Sequence, residues 1–433
     1  MKKTVSILIA FIFCVSCSKS NSETPTPTPT PITPSPIVTV TISPLTTYQT
    51  ITGFGAANRM WGTTSLLPAD AQKAFGLGDG ELGLSIFRVR LSSNQSEWSI
   101  ILEAVKEANK RGVKVLASPW SPPAALKDNN SDIGGSLLPQ NYTAYKSYMN
   151  SFINYMSTNG AKIDVVSIQN EPDWNPSYES CAWTADNMIN FLTAPGSISG
   201  VQVAAPESLN FNQTFTNSIL SNDSAAAKIS IIAGHIYGGG IAKFPIAEQK
   251  NKEIWMTEYL LNLNTGNTGA PAWGTYSEAD KWDESLRMLA SVHDALSNNW
   301  NAYIWWYLQR YYSFIGDGEQ ATVNGEVLKR GYAFSHFAKF VRPGFIRINA
   351  APPAGSSLKI SAYKKDSQTV VVIINADASA VNNVEINGLT FTSGTSYTTS
   401  LSGNLSKKTL TVTNSKPTID MLAKSVTTLV LIN

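Results

Sequence analysis

The sequence predicts an α/β fold, a (β/α)8 TIM barrel with a β-sandwich associated at its side. Three observations predict it. From Ile51 to about Val341, short β-branched runs alternate with longer stretches of helical periodicity, and there are eight such runs. After Pro343 the helical stretches stop, and β-branched runs follow one another across Gly, Asn and Ser turns. All eleven tryptophans lie between Trp61 and Trp306, so the alternating part holds the large flat aromatics and the tail holds none.

The elements follow in chain order. Met1-Lys2-Lys3 and the apolar run Val5 to Val15 form a secretory signal over residues 1–16, too short to rest as a membrane-spanning helix. Cys14-Val15-Ser16-Cys17 resembles a bacterial lipoprotein cleavage box. Cys17 is therefore the expected lipidation site, with ordinary cleavage near Ser16 as the alternative. Residues 17–36 form the lipid anchor and a Thr/Pro-rich linker. That linker favours extended polyproline geometry and, at about 3.1 Å per residue, spaces the folded part tens of ångströms from a membrane. The expected location is outside the cell, on an outer membrane or cell surface. Residues 37–50, with Val38-Thr-Val-Thr-Ile42, supply a strand able to pair with the C-terminal tail.

The barrel spans residues 51–341. Its strands are Ile51–Phe54, Ser85–Leu91, Val113–Ser118, Asp164–Ile168, Val201–Ala204, Ile229–Ile232, Ile254–Met256 and Ala302–Trp305. Trp98, Ile101, Leu102, Val105 and Ala108 recur at helical spacing and close on Gly112; Tyr142 to Asn159 is a further helix. The side β-sandwich spans residues 342–433. Its strands are Leu358–Tyr363, Thr369–Ile374, Val384–Ile386, Lys408–Val412 and Val426–Leu431.

Composition excludes several functions. At 43% hydrophobic and 15% charged residues, the chain is not disordered. Lys2 and Lys3 account for the formal net charge of +2, so the processed protein is neutral and a poor partner for nucleic acid. Beyond the leader only Cys181 remains, which rules out an internal disulfide scaffold or a structural zinc site and suits a buried apolar thiol. With three histidines in all, no histidine-rich metal centre is expected. No cofactor is expected either.

In a barrel of this kind, reactive groups sit at the carboxyl ends of the strands. The fourth run ends Ser167-Ile-Gln-Asn170-Glu171-Pro172, and the seventh ends Trp255-Met-Thr-Glu258-Tyr259. Two glutamates at one barrel mouth supply what glycoside hydrolysis needs, a proton for the leaving oxygen and a nucleophile for the anomeric carbon. A single glutamate there is most simply a surface carboxylate; the pair, with one member in Asn-Glu-Pro, points to chemistry.

These motifs, with Gln49-Thr-Ile-Thr-Gly-Phe-Gly55, Leu84-Ser-Ile-Phe-Arg88, Ala117-Ser-Pro-Trp120-Ser-Pro-Pro123, Ala205-Pro-Glu-Ser208, Gly234-His-Ile-Tyr237, Tyr303-Ile-Trp-Trp-Tyr307 and Lys339-Phe-Val-Arg-Pro-Gly344, resemble glycoside hydrolase family 30 in its glucuronoxylanase-type subfamily. The resemblance runs from about Val38 to Asn433. It implies a barrel fused to a side β-sandwich that includes an N-terminal strand. It implies a retaining endo-β-1,4-xylanase acting on glucuronoxylan without a metal; the leader adds secretion and a lipid tie to a membrane, and a monomer is expected. Glu171 becomes the general acid/base and Glu258 the nucleophile. Asn170 is implied to bond the sugar 2-OH, Arg88 to hold Glu258 ionised or to serve as a structural salt bridge, and Tyr237 to bond the nucleophile or simply to pack. Trp61, Trp120 and Trp306 are implied as floor and wall of the sugar cleft, with core packing as the alternative for each. Trp305, alternating with Trp306, belongs to the core. Trp174 and Trp183 suit the rim and the interior equally.

The resemblance also assigns Arg310 and Tyr312, after the eighth strand, to the carboxylate of a glucuronic acid branch, where guanidinium and carboxylate form charge-assisted hydrogen bonds. An ordinary rim arginine is the alternative. The chain departs from the pattern at Leu260 and Leu263, where such relatives use Tyr and Ser, and in an insertion from Phe314 to Glu326. Dependence on the branch is therefore open. Rival readings are a family 30 enzyme for undecorated xylan or β-1,6-glucan, and a non-catalytic surface glycan-binding protein.

Overall fold

The computed structural model describes residues 37–63, 65–263, 269–410 and 416–433. The expected signal, Cys17 and the Thr/Pro-rich linker lie outside them. The first described strand is β1 (Val38–Thr50). Eight strands then close a parallel barrel: β2 (Gly53–Ala57), β3 (Ile86–Arg90), β4 (Lys114–Ser118), β5 (Val165–Ser167), β6 (Gln202–Ser208), β7 (Ile231–His235), β8 (Glu253–Glu258) and β9 (Ala302–Trp305). All eight expected runs are present, with ends displaced by a few residues.

The alternation of side chains along each strand builds two layers. Ile86, Leu116, Val165, Ala204, Ile231, Trp255 and Ile304 form one buried cluster inside the barrel. Their neighbours Phe87, Val115, Val166, Val203, Ile232 and Tyr303 join the larger core beneath the helices. β2 sends Phe54 outward into the larger core but adds almost no side-chain bulk inside the barrel, and Gly55 shows why. A Cβ there would sit 2.2 Å from the carbonyl oxygen of Ile86, so only glycine lets β2 and β3 close at this point.

The helices bury one face each, as their spacing predicts. Trp98, Ile101, Val105 and Ala108 are buried across the turn Gln95–Ile101 and the helix Leu102–Lys110. Asn94 starts that turn, its Oδ1 accepting from the Ser96 amide at 3.1 Å. The helix Tyr142–Thr158 buries Tyr145, Met149, Phe152 and Met156, a stripe at alternating intervals of four and three.

Among the described residues the side element is one curled nine-stranded sheet. After β10 (Ile346–Ala351), β11 (Lys359–Lys365), β12 (Gln368–Asn375) and β13 (Val381–Asn387) come β14 (Ser393–Ser400), β15 (Gly403–Thr409), β16 (Thr418–Met421) and β17 (Ser425–Ile432), in the order β15-β14-β17-β12-β11-β10-β1-β13-β16. As expected, β1 belongs here. Ser43 pairs antiparallel with Asn349, and Val40 pairs parallel with Ile386. Curling lets Val40, Ile42, Val384 and Ile386 share a core with Val371, Ile373, Leu429 and Leu431, which makes the sheet sandwich-like. The other face of β12, Val370, Val372 and Ile374, packs into the barrel's core. Two polar ties reinforce that junction. Trp282 donates from Nε1 to the Lys424 carbonyl at 2.8 Å, and buried His336 joins the hydroxyls of Thr399 and Thr428 at 2.8 Å each.

Candidate active site

The barrel brings five charged side chains to one buried point at its carboxyl end. Glu258 is the last residue of β8, Glu171 follows β5, Glu207 sits near the end of β6, His235 ends β7, and Arg88 lies in β3. Glu171 and Glu258 are 6% and 7% exposed, while Arg88, Glu207 and His235 are fully buried. A carboxyl oxygen of Glu171, one of Glu258 and a ring nitrogen of His235 all lie within 4.8 Å of one another.

Hydrogen bonds fix each group. Glu258 takes Arg88 Nη1 on Oε2 at 2.6 Å and the Tyr237 hydroxyl on Oε1 at 2.7 Å. Arg88 also donates from Nη2 to Asn170 Oδ1 at 2.6 Å and from Nε to Ser118 Oγ at 3.2 Å, and Nη2 lies 3.1 Å from Glu207 Oε1. Ser118 donates to the same Glu207 oxygen at 3.1 Å. His235 Nδ1 meets Glu171 Oε1 at 2.8 Å, and its Nε2 is 3.7 Å from Glu207. Glu171 and Glu207 both hold positive φ, 47° and 63°, a conformation uncommon for residues with a Cβ, and the Glu171 amide donates to the Glu207 carbonyl at 3.0 Å.

The electrostatics follow from this crowding. Burial alone would raise the Glu207 carboxyl, yet Arg88 and His235 overcome it and hold it at about 2. Burial alone would lower His235, but Glu258, Glu171 and Glu207 raise it to about 9. Burial pushes Glu258 up, against the pull of His235 and Arg88. With donors on both oxygens of Glu258, the hydrogen-bond pattern suits its carboxylate form. Glu171, His235 and Glu258 form a group whose ligand atoms are close enough for a cation. The guanidinium on Glu258 makes that donor set a poor fit for one.

Above the carboxylates lies a cleft of about 720 Å3, lined by Trp61, Trp120, Glu171, Trp174, Tyr178, Leu209, Tyr237, Glu258, Leu260 and Trp306. Trp120 is 3% exposed and lies over the Arg88 guanidinium at 4.9 Å, so it forms the floor. Trp61, 40% exposed, meets Trp120 edge-on at 5.2 Å and forms the rim. Trp306 stacks on Tyr307 at 4.1 Å. Trp305 is buried on the opposite side of its strand, Trp174 reaches the cleft, and Trp183 is interior, donating to Gln169 at 3.3 Å. Cys181 is buried and free.

Arg310 and Tyr312, two residues apart, have different surroundings. Arg310 Nη1 already donates to Asp317 Oδ2 at 2.8 Å, and Asp317 comes from the insertion. Tyr312 is buried and lines a separate cavity of about 290 Å3. Leu260 faces the main cleft, whereas the Leu263 side chain is not among its lining residues.

Sequence reasoning did not single out Glu207, His235 or Asp317. Glu207 and His235 stand inside Ala205-Pro-Glu-Ser208 and Gly234-His-Ile-Tyr237, at the ends of two expected strands, and that position was their signal.

Residues 73–311 match the model of the glycosyl hydrolase family 30 TIM-barrel domain. The chain is 34% identical to the glucuronoxylanase XynC of Bacillus subtilis (strain 168) over 403 residues, covering 90% of this chain and 91% of that one. Among solved structures it is similar to a glycoside hydrolase family 30 subfamily 8 xylanase from Clostridium acetobutylicum. The TM-score is 0.80 at 32% identity, over 91% of this chain and 99% of the other. A family 30 endoxylanase from Clostridium papyrosolvens aligns with a TM-score of 0.77 at 31% identity, over 91% and 100%.

Proposed function

Because the chain belongs to glycosyl hydrolase family 30, and is therefore a glycoside hydrolase, we propose that it is a secreted endo-β-1,4-xylanase that acts on glucuronoxylan with net retention. The observation that carries the stereochemical part is the spacing of Glu171 and Glu258. Oxygens within 4.8 Å fit the roughly 5–5.5 Å carboxyl separation of retaining enzymes, and leave no room for the water that inverting enzymes hold across about 6.5–9.5 Å.

Glu258 attacks the anomeric carbon through a carboxylate oxygen while the glycosidic bond breaks. Glu171 gives its proton to the departing oxygen. In the second half, Glu171 takes a proton from water, the water oxygen attacks the same carbon, and Glu258 is released. With Arg88 and His235 cationic and Glu207 and Glu258 anionic, the buried cluster is neutral when Glu171 carries its proton. His235 occupies Glu171 Oε1, which leaves Oε2 to face the leaving group. Asn170, its Oδ1 held by Arg88, turns its NH2 toward the substrate 2-OH, and Trp61, Trp120 and Trp306 carry the sugar rings. Arg310 reads the glucuronate branch from the rim, with Tyr312 two residues further on. Lipidation at Cys17 ties the enzyme to the cell envelope; Cys17→Ala should release it to the medium.

The test is the pair of alanine variants. Glu171→Ala should lose about 10²- to 10⁴-fold in kcat/KM on xylan, and with an aryl xyloside, whose leaving group departs without a proton, azide should restore turnover with a retained glycosyl azide. Glu258→Ala should be rescued by azide with the inverted product. Near wild-type rates in both variants would overturn the assignment. A second reading, activity on undecorated xylan or β-1,6-glucan, is favoured by Leu260 in the cleft and by the Asp317 partner of Arg310. Product sizing on a panel of polymers separates the two.

A further inference from the structure

We propose that Arg59 is a second reader of the acidic branch: Arg59 and Arg310, fixed on the same oxygen of Asp317, form a rim site with one uncompensated positive charge that takes the carboxylate of an acidic sugar. This rests on the glucuronoxylan reading above. Asp317 Oδ2 receives Arg310 Nη1 at 2.8 Å and lies 3.5 Å from Arg59 Nη2. The Asp317 side chain is 5% exposed, while those of Arg310 and Arg59 are 31% and 36% exposed. The anion is therefore the buried member, and both cations reach solvent.

The site adjoins the cleft. Arg59 stands two residues before Trp61, which lines the cleft, and Arg310 follows Trp306 and Tyr307 out of β9. Both arginines bear on Tyr307, which also feels the charge of Glu258. Asp317 is not free to swing away. Gly316 donates to the Glu326 carbonyl and Gly325 to the Gly316 carbonyl, both at 2.8 Å, so the insertion is pinned as a hairpin. Asp317 Oδ1 in turn accepts from the Glu319 amide at 3.2 Å.

Charge counting makes Arg59 necessary. Arg310 with Asp317 alone is a neutral pair, with little pull on another anion. Arg59 leaves the trio at +1, and an arriving carboxylate brings it to zero. Each guanidinium has five N–H donors in a fixed fork, and Asp317 occupies one nitrogen of each, so donors remain for a second carboxylate. The residue types also fit the task, since a sugar carboxylate is flat and takes hydrogen bonds in pairs.

The experiment compares kcat/KM of the full chain on glucuronoxylan and on the same polymer with its carboxyl groups reduced to alcohols. The ratio between the two polymers is read, not the rate on either. The wild type should favour the acidic polymer, and Arg59→Gln should cut the ratio about fivefold, the upper range for a partly exposed ion pair. Arg59→Lys, which keeps the charge, should restore most of it. A ratio unchanged in Arg59→Gln but collapsed in Arg310→Gln overturns the role of Arg59 and leaves the glucuronoxylan reading standing. A wild-type ratio of one overturns the acidic site itself. Hydrolysis of neither xylan, alongside cleavage of another β-glucan, overturns the underlying reading instead.

Discussion

Replacing Glu207 with glutamine tests whether the charge network, rather than its shape alone, holds the barrel mouth together. The substitution keeps the side chain's size and removes its charge. Glu207 titrates at about 2 in the folded protein against an ordinary value of 4.5, and it is fully buried. That difference corresponds to about 3 kcal/mol of stability, in line with the roughly 3–5 kcal/mol lost when one partner of a buried ion pair is removed. For about 400 folded residues the entropy of unfolding is about 0.8 kcal/mol/K, so Tm should fall by about 4 °C near neutral pH. The sign of the pH dependence is fixed by the direction of the shift. A carboxyl depressed on folding contributes its stability above the unfolded value and loses it as pH falls through the folded value. Scanning calorimetry of both proteins from neutral pH down to about pH 3 should therefore show the gap narrowing below about 4.5, to about 1 kcal/mol at the acid end. Equal Tm values near neutrality would refute the reasoning. So would a gap that stayed constant into acid, because that would mark a steric effect and not a charge.

Tyr237→Phe removes the 2.7 Å hydrogen bond to Glu258, which helps to lower that carboxyl. kcat/KM should fall about tenfold or more, with the acid limb of the pH–rate profile moving to higher pH. His336 is held at about 3 by burial between Thr399 and Thr428, so its neutral form is the stable one. Stability should fall with pH from about 6.5 downward, by about 3 kcal/mol at about pH 4, and denaturant titration of His336→Gln should show a flatter curve. Burial pushes the Cys181 thiol up to about 11, so native protein should resist alkylation near neutral pH while unfolded protein reacts at once.

The barrel was legible because its strands are buried on both faces and so read as short, dense β-branched runs. The side sheet was less so. β14 is Ser-Gly-Thr-Ser-Tyr-Thr-Thr-Ser, a composition of turns; it becomes a strand because β15 and β17 flank it. β10 has only the Ile346 and Ile348 alternation, and β16 is four residues long. The glutamate pair was visible from strand ends and the Asn-Glu-Pro context. Glu207 stands within Ala205-Pro-Glu-Ser208 near a strand end, but nothing local distinguishes a glutamate at full burial from one in water. Its meaning appears only when β3, β6 and β7 bring Arg88, Glu207 and His235 to one point. Asp317 was hidden in the same way. The insertion was evident, but its fold back onto Arg310 depends on the hairpin closing at Gly316 and Gly325.

Strand β1 is sandwiched between β10 and β13, and Ser43 meets Asn349 across 306 residues. A ribosome adding about 5–20 residues per second needs about a quarter of a minute to a full minute to deliver those partners. For that interval Val40 and Ile42, buried in the finished sheet, travel on an unpaired edge that any other strand can extend. The first described strand is thus among the last to be secured. Nascent chains stalled before β10, and truncations that end with the barrel, should both be captured by holding chaperones or aggregate through this segment.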